Sequence, residues 1–201
     1  MTLCAAATLL VSATLQSAAA DDSSLCGDFG DEAVAACSRL LARNPNNINA
    51  YFARGTAYFL EHDWDRAISD FSQAIRLDPD SVYYYSARAN AYNGKQDYDR
   101  AISDMDQAIR INPKWPDAYF RRADSYKDKG DYDRAIADLD QAIRLDPKLA
   151  EAYTTRGEAY EAKNDLDHAV ADFDQALKLD PSLADAQQGR ERVQALLTKG
   201  K

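Results

Sequence analysis

Across residues 48–183 the polar and apolar positions recur every 34 residues without a gap. Prolines punctuate the pattern at Pro45, Pro79, Pro113, Pro147 and Pro181, which delimits units 48–81, 82–115, 116–149 and 150–183. Position 4 of each unit is Tyr51, Tyr85, Tyr119 or Tyr153, and position 11 is Tyr58, Tyr92, Tyr126 or Tyr160. At 3.6 residues per turn, side chains seven apart share a helical face, so these tyrosines predict a first helix with one apolar stripe. Position 8 is small (Gly55, Ala89, Ala123, Gly157), as are position 20 (Ala67, Ala101, Ala135, Ala169) and position 27 (Ala74, Ala108, Ala142, Ala176). Position 24 is large and apolar: Phe71, Met105, Leu139, Phe173. This predicts a second helix drawn close to the first, with the rings and position 24 filling the space around the alanines. A fixed period of this length marks stacked hairpins and outranks an element-by-element reading.

The helix limits follow from local chemistry. Asp65, Asp99, Asp133 and Asp167 at position 18 are expected to cap the second helices, because a carboxylate accepts an orphan N–H at the positive helix end. The proline at position 32 ends each second helix, having no N–H and disfavouring helix in the residue before it. Position 7 is always arginine and position 23 always aspartate, which predicts the ion pairs Arg54–Asp70, Arg88–Asp104, Arg122–Asp138 and Arg156–Asp172. A residue repeated in every unit serves the unit, so these arginines read as structural rather than as anion binders. Both ends are atypical, as a stacked array requires. Residues 21–47 read as an N-terminal segment plus a half repeat holding only a second helix, with Cys37 in the inward slot. Residues 184–201 read as a capping helix and tail, its outer face polar at Gln187, Glu191 and Gln194 while Val193, Leu196 and Leu197 pack inward.

These four copies resemble the tetratricopeptide repeat; Arg54, Arg88, Arg122 and Arg156 stand where that family often has leucine. The resemblance implies an all-α fold: an α-solenoid of antiparallel helix pairs with a C-terminal capping helix. It also implies a non-catalytic protein-interaction scaffold whose concave groove is lined by first-helix positions 2, 5, 6, 9, 12 and 13. By register, the first two units offer Asn49, Phe52, Thr56, Phe59, Tyr83, Ser86, Asn90 and Asn93. The third offers Phe120, Arg121, Asp124 and Lys127, and the fourth Glu151, Thr154, Thr155, Glu158 and Glu161. The groove is thus polar-aromatic at one end and acidic at the other, which suits an extended peptide with apolar side chains and a basic end. The lysine and asparagine set with which chaperone-tail-binding members hold a terminal carboxylate is missing: position 5 reads Phe52, Ser86, Phe120, Thr154.

Composition narrows the function further. With 24 Lys+Arg against 33 Asp+Glu the net charge is −9, which argues against a nucleic-acid partner. Two histidines, His62 and His168, sit in different units, no Cys/His cluster has metal-ligand spacing, and no phosphate loop or nucleophile elbow occurs. No enzyme activity, metal or cofactor is expected. Leu3–Ala20 is uncharged, too polar and short for a membrane span, and ends Ala18-Ala19-Ala20 before Asp21-Asp22, which reads as a cleaved signal peptide over residues 1–20. Removing Cys4 with it leaves Cys26 and Cys37, an even count that reads as a disulfide in an oxidising compartment. The expectation is a periplasmic or secreted binding module for a protein or peptide. A cytosolic adaptor, if the leader is retained, and a self-associating structural unit are the alternatives.

Overall fold

The computed structural model describes residues 22–28 and 30–199, so the expected signal peptide over 1–20 lies outside the described residues. The chain divides into two compact units, Met1–Lys95 and Gln96–Lys201. The first holds α1 (Asp31–Arg43), α2 (Ile48–Leu60), α3 (Trp64–Leu77) and α4 (Val82–Gly94). The second holds α5 (Tyr98–Ile111), α6 (Pro116–Asp128), α7 (Tyr132–Leu145), α8 (Ala150–Ala162), α9 (Leu166–Leu179) and α10 (Ala184–Lys199). No strand occurs among the described residues, and the fold is an all-α solenoid of paired helices.

Within each unit every helix packs on the next in sequence. First helices of successive repeats also meet, α2 with α4, α6 with α8 and α8 with α10, whereas the second helices do not meet one another. Each unit therefore bends with its first helices on the inside.

The core is built from the repeating small and large positions. Every alanine at positions 20 and 27 is fully buried, and Phe71, Met105, Leu139 and Phe173 are sealed between them. Each such side chain contributes roughly 1.5–3 kcal/mol by leaving water. Position 8 is matched to position 24. A Cβ on Gly55 would stand 2.8 Å from the Phe71 ring, and one on Gly157 would stand 2.9 Å from the Phe173 ring. Where position 24 is Leu139, position 8 is Ala123, and both are fully buried in one cluster.

The expected helix caps lie two residues off. The second helices begin at position 17, and the caps are Asp63, Asp97, Asp131 and Asp165 at position 16, whose carboxylates accept the backbone N–H three residues on. The reason is the preceding turn. Position 15 takes a left-handed conformation in every unit (His62, Gln96, Asn164 at φ 59–60°, Gly130 at φ 84°), which closes the first helix and aims the next residue as the cap. Asp63, Asp131 and Asp165 then donate their own N–H to Tyr58, Tyr126 and Tyr160 carbonyls at 2.8–2.9 Å. Asp65, Asp99 and Asp133 instead pair with Lys95, Lys129 and Lys163, which stand directly after the following first helix.

The residue before each proline is extended, as proline dictates: Asn44, Asp78, Asn112, Asp146 and Asp180 all have φ near −137°. Their side-chain oxygens accept the N–H two residues on at 2.8–3.3 Å, which pins the turn into the next unit.

At the N-terminal end, residues 22–25 form a helical turn, and the Cys26 and Cys37 sulfurs lie 2.09 Å apart, at bonding distance. Asp22, the first residue of this turn, is buried; Arg39 donates from Nε to its Oδ1 at 2.8 Å, and Arg43 closes on its other oxygen. At the opposite end Val193 is fully buried and Leu197 packs beside it, but Leu196 is 48% exposed, contrary to expectation. A final helix covers the array with only one stripe, and Leu196 falls outside it.

Candidate functional site

Three of the expected ion pairs lie within a unit, and each is a two-pronged fork. Arg54 donates from Nε and Nη2 to both Asp70 oxygens at 2.7 and 2.8 Å. Arg122 does the same to Asp138 at 2.7 Å, and Arg156 to Asp172 at 2.7–2.8 Å. Arg88 lies in the first unit and Asp104 in the second. Position 7 has a further partner that the sequence pattern did not suggest. Its Nη1 reaches back 16 residues, to position 25 of the preceding repeat: Arg54 to Ser38 and Arg88 to Ser72 at 2.9 Å, Arg122 to Asp106 and Arg156 to Asp140 at 2.5 Å. Each arginine also lies over the position-4 tyrosine of its own helix, 5.5–6.0 Å from the ring centre. The Asp70 and Asp172 bonds hold the Arg54 and Arg156 pKa values above the ordinary guanidinium value; at Arg122, burial opposes the charge but the Asp138 and Asp106 bonds outweigh it. These cations bolt repeats together, and Arg54, Arg122 and Arg156 face carboxylates rather than solvent.

The inner face of the first unit carries the polar-aromatic residues. Tyr83 is 67% exposed and Asn49 is also exposed, while Asn90 and Asn93 are half-buried. Phe52 and Phe59 are not free rings. Phe52 packs 5.7 Å from Phe71 and 5.4 Å from Tyr84, and Phe59 stands edge-on to Trp64 at 5.1 Å. Ser86 is 8% exposed and so offers the groove little surface. Thr56 donates to the Phe52 carbonyl at 2.9 Å and lines a cleft of about 190 Å³ together with Phe59, Phe71, Ala87 and Asn90. Phe71 was legible only as core. Its edge becomes the cleft floor because Gly55 leaves room beside the ring.

The inner face of the second unit is charged. Arg121 donates to Asp117 at 2.6 Å, and Lys127 donates to Glu158 at 2.7 Å with Asp124 at 3.4 Å. One rung on, Arg192 holds Glu161 with both Nε and Nη2 at 2.9–3.1 Å. Phe120, Asp124 and Lys127 line a pocket that also takes in Thr154, Thr155, Glu158 and Leu183. No three His, Cys, Asp or Glu side chains converge to hold a metal among the described residues, and no described helix is long and apolar enough to cross a membrane.

The geometry has clear relatives. Models of the tetratricopeptide repeat match residues 48–81 and 150–183, and related models of the same repeat match 82–114 and 123–164. Among solved structures, MamA is 29% identical with a TM-score of 0.70, over 77% of this chain and 90% of MamA. The first TPR domain of Spaghetti (RPAP3), bound to the HSP90 peptide SRMEEVD, is 25% identical with a TM-score of 0.57, over 58% of this chain and 93% of that one. YrrB, described as a TPR protein with an unusual peptide-binding site, shares the fold at 19% identity and a TM-score of 0.67, over 79% of this chain and 82% of its own. No curated protein matches significantly. Repeat length, helix pairing and the matched models agree over more than half of the sequence, and the chain belongs to the tetratricopeptide repeat family.

Proposed function

We propose that this protein is a non-catalytic capture module that holds an extended segment of a partner protein against the first-helix faces of its repeats. The partner segment carries apolar or aromatic side chains for the first unit and a basic end for the second. The observation that carries this reading is the cleft between α2 and α4, apolar on Phe59, Phe71 and Ala87 and edged by Thr56 and Asn90. Exposed Tyr83 on α4 and Leu60 on α2 add anchoring area that the fold itself leaves uncovered. Repeat folds of this family support interaction scaffolds, and the Spaghetti domain holds its peptide on the same kind of framework.

We place the mature protein in the cell envelope or outside the cell, on the uncharged Leu3–Ala20 run with its Ala18-Ala19-Ala20 end and on the paired Cys26 and Cys37 sulfurs. Protein sequencing of the mature chain should begin at Asp21; a start at Met1 would instead favour the cytosolic adaptor.

Affinity capture from envelope extract tests the groove. Tyr83→Ser/Asn90→Ala should lose the captured partner at least about tenfold while leaving the thermal midpoint within a few degrees. Phe52 and Phe59 are poor choices for this test, since both rings also support the core. Undiminished capture by the double variant refutes the groove, and light scattering that shows mass growing with concentration favours a self-assembling unit.

A further inference from the structure

The second unit contains a pocket with more negative charge than its own residues neutralise. It measures about 270 Å³, lies between α6, α8 and the start of α10, and is floored by Phe120 and Leu183. Lys127 is its only lining cation, set against the carboxylates of Asp124, Glu151, Glu158 and Asp185. Lys127 is already occupied by Glu158 and Asp124, while Glu151 and Asp185 have no ion-pair partner among the described residues. Burial pulls the Lys127 pKa down, yet the Glu158 bond and the neighbouring carboxylates raise it above its ordinary value; burial and then the charge of Asp124 hold the Asp128 carboxyl above its ordinary range.

A second observation points to a ligand. Thr155 lines the pocket, is 7% exposed, and its hydroxyl has no hydrogen-bond partner, whereas neighbouring Thr154 donates to the Ala150 carbonyl at 3.2 Å. Thr155 is more than nine-tenths buried as a residue, yet its unpaired hydroxyl is open to the pocket, where an incoming polar group can complete its hydrogen bonds.

We infer that this pocket receives an arginine side chain of the partner segment. The Thr155 oxygen accepts one guanidinium N–H, Glu151 and Asp185 accept others, and Phe120 lies beneath the cation. Arginine suits these groups better than lysine, because its planar fork meets two carboxylates and an aromatic face together. This assignment rests on the groove reading and names the chemistry of its basic end.

The test uses the full chain and a fluorescein-labelled, acetylated hexa-arginine amide, read by anisotropy in about 150 mM salt, where surface attraction is screened. Binding should be at least about threefold tighter than for hexa-lysine. Thr155→Val, which leaves every charge in place, should weaken it by about threefold or more, and Thr155→Ser should restore it. Glu151→Gln/Asp185→Asn should weaken it about tenfold, against less than about twofold for the charge-matched Asp167→Asn/Glu191→Gln outside the pocket. No binding, no preference over hexa-lysine, an unaffected Thr155→Val, or equal losses from the two double variants would each overturn the assignment. Should the arginine pocket fail while Tyr83→Ser/Asn90→Ala still loses its partner, the groove stands and only its basic end is reassigned. Arginine binding with undiminished capture by that variant leaves the pocket and removes the aromatic groove.

Discussion

At the scale of single residues, size complementarity between positions 8 and 24 sets how close two helices come. Gly55 faces Phe71 and Gly157 faces Phe173, while Ala123 accompanies Leu139. Gly55→Ala therefore trades a helix-propensity gain of about 1 kcal/mol against an overpacking cost of about 1–3 kcal/mol, and chemical denaturation should find it net destabilising. Adding Phe71→Leu, which copies the Ala123–Leu139 combination, should recover part of the loss, and a double-mutant cycle should show favourable coupling of at least about 0.5 kcal/mol. The forked ion pairs provide a second contrast. Asp138 is buried and anchors Arg122 within its own hairpin, whereas Asp106 and Asp140 are the half-exposed outer partners of Arg122 and Arg156. Asp138→Ala should cost roughly 2–4 kcal/mol because it strands a largely buried guanidinium, and Asp140→Ala less than about 1 kcal/mol, in the same denaturation series.

At the scale of elements, each second helix is started by a turn rather than by composition. The left-handed residue at position 15 puts Asp63, Asp97, Asp131 and Asp165 at the cap, and two residues on Asp65, Asp99 and Asp133 each join a lysine of the neighbouring repeat. The side-chain bond from Arg134, then its backbone N–H, lowers the Asp131 pKa from its ordinary 3.8. A depressed carboxylate pKa contributes stability that is present above the unfolded value and is lost as pH falls through the folded one. Asp131→Ala should lower the thermal midpoint by about 2–4 °C at pH 7, and its difference from the parent should close as pH drops below 3.8. A difference that persists at pH 2 would mean the cap acts through something other than its charge.

At the scale of the molecule, the two ends are finished by different means. The C-terminal end is covered by α10, where Gly189 sits so close to Phe173 that a Cβ would lie 2.4 Å from the ring. Among the described residues no first helix precedes α1, and residues 22–28 lie against it with Cys26 against Cys37 and Asp22 held by Arg39 and Arg43. A bridge closing so short a loop contributes about 2–3 kcal/mol in the chain-entropy model, so reductant should lower the stability of the mature protein by that order. Mass spectrometry after alkylation without reductant should find no added groups; two would remove the bridge.

The two helices per unit, the buried alanines and the forks of Arg54, Arg122 and Arg156 were legible in the sequence, because each depends on spacing inside one hairpin. The same spacing misplaced the helix caps by two residues, since an αL turn is set by backbone hydrogen bonds that side-chain periodicity does not report. It also could not separate Tyr83, which faces solvent, from Phe52 and Phe59, which lean on Phe71, Tyr84 and Trp64. The reach of position 7 back to the previous repeat and the acidic pocket around Thr155 arise only once hairpins stack, when residues from separate helices come within hydrogen-bonding distance. Local periodicity determined the scaffold, and the packing of one hairpin on the next decided which side chains remain free to meet a partner.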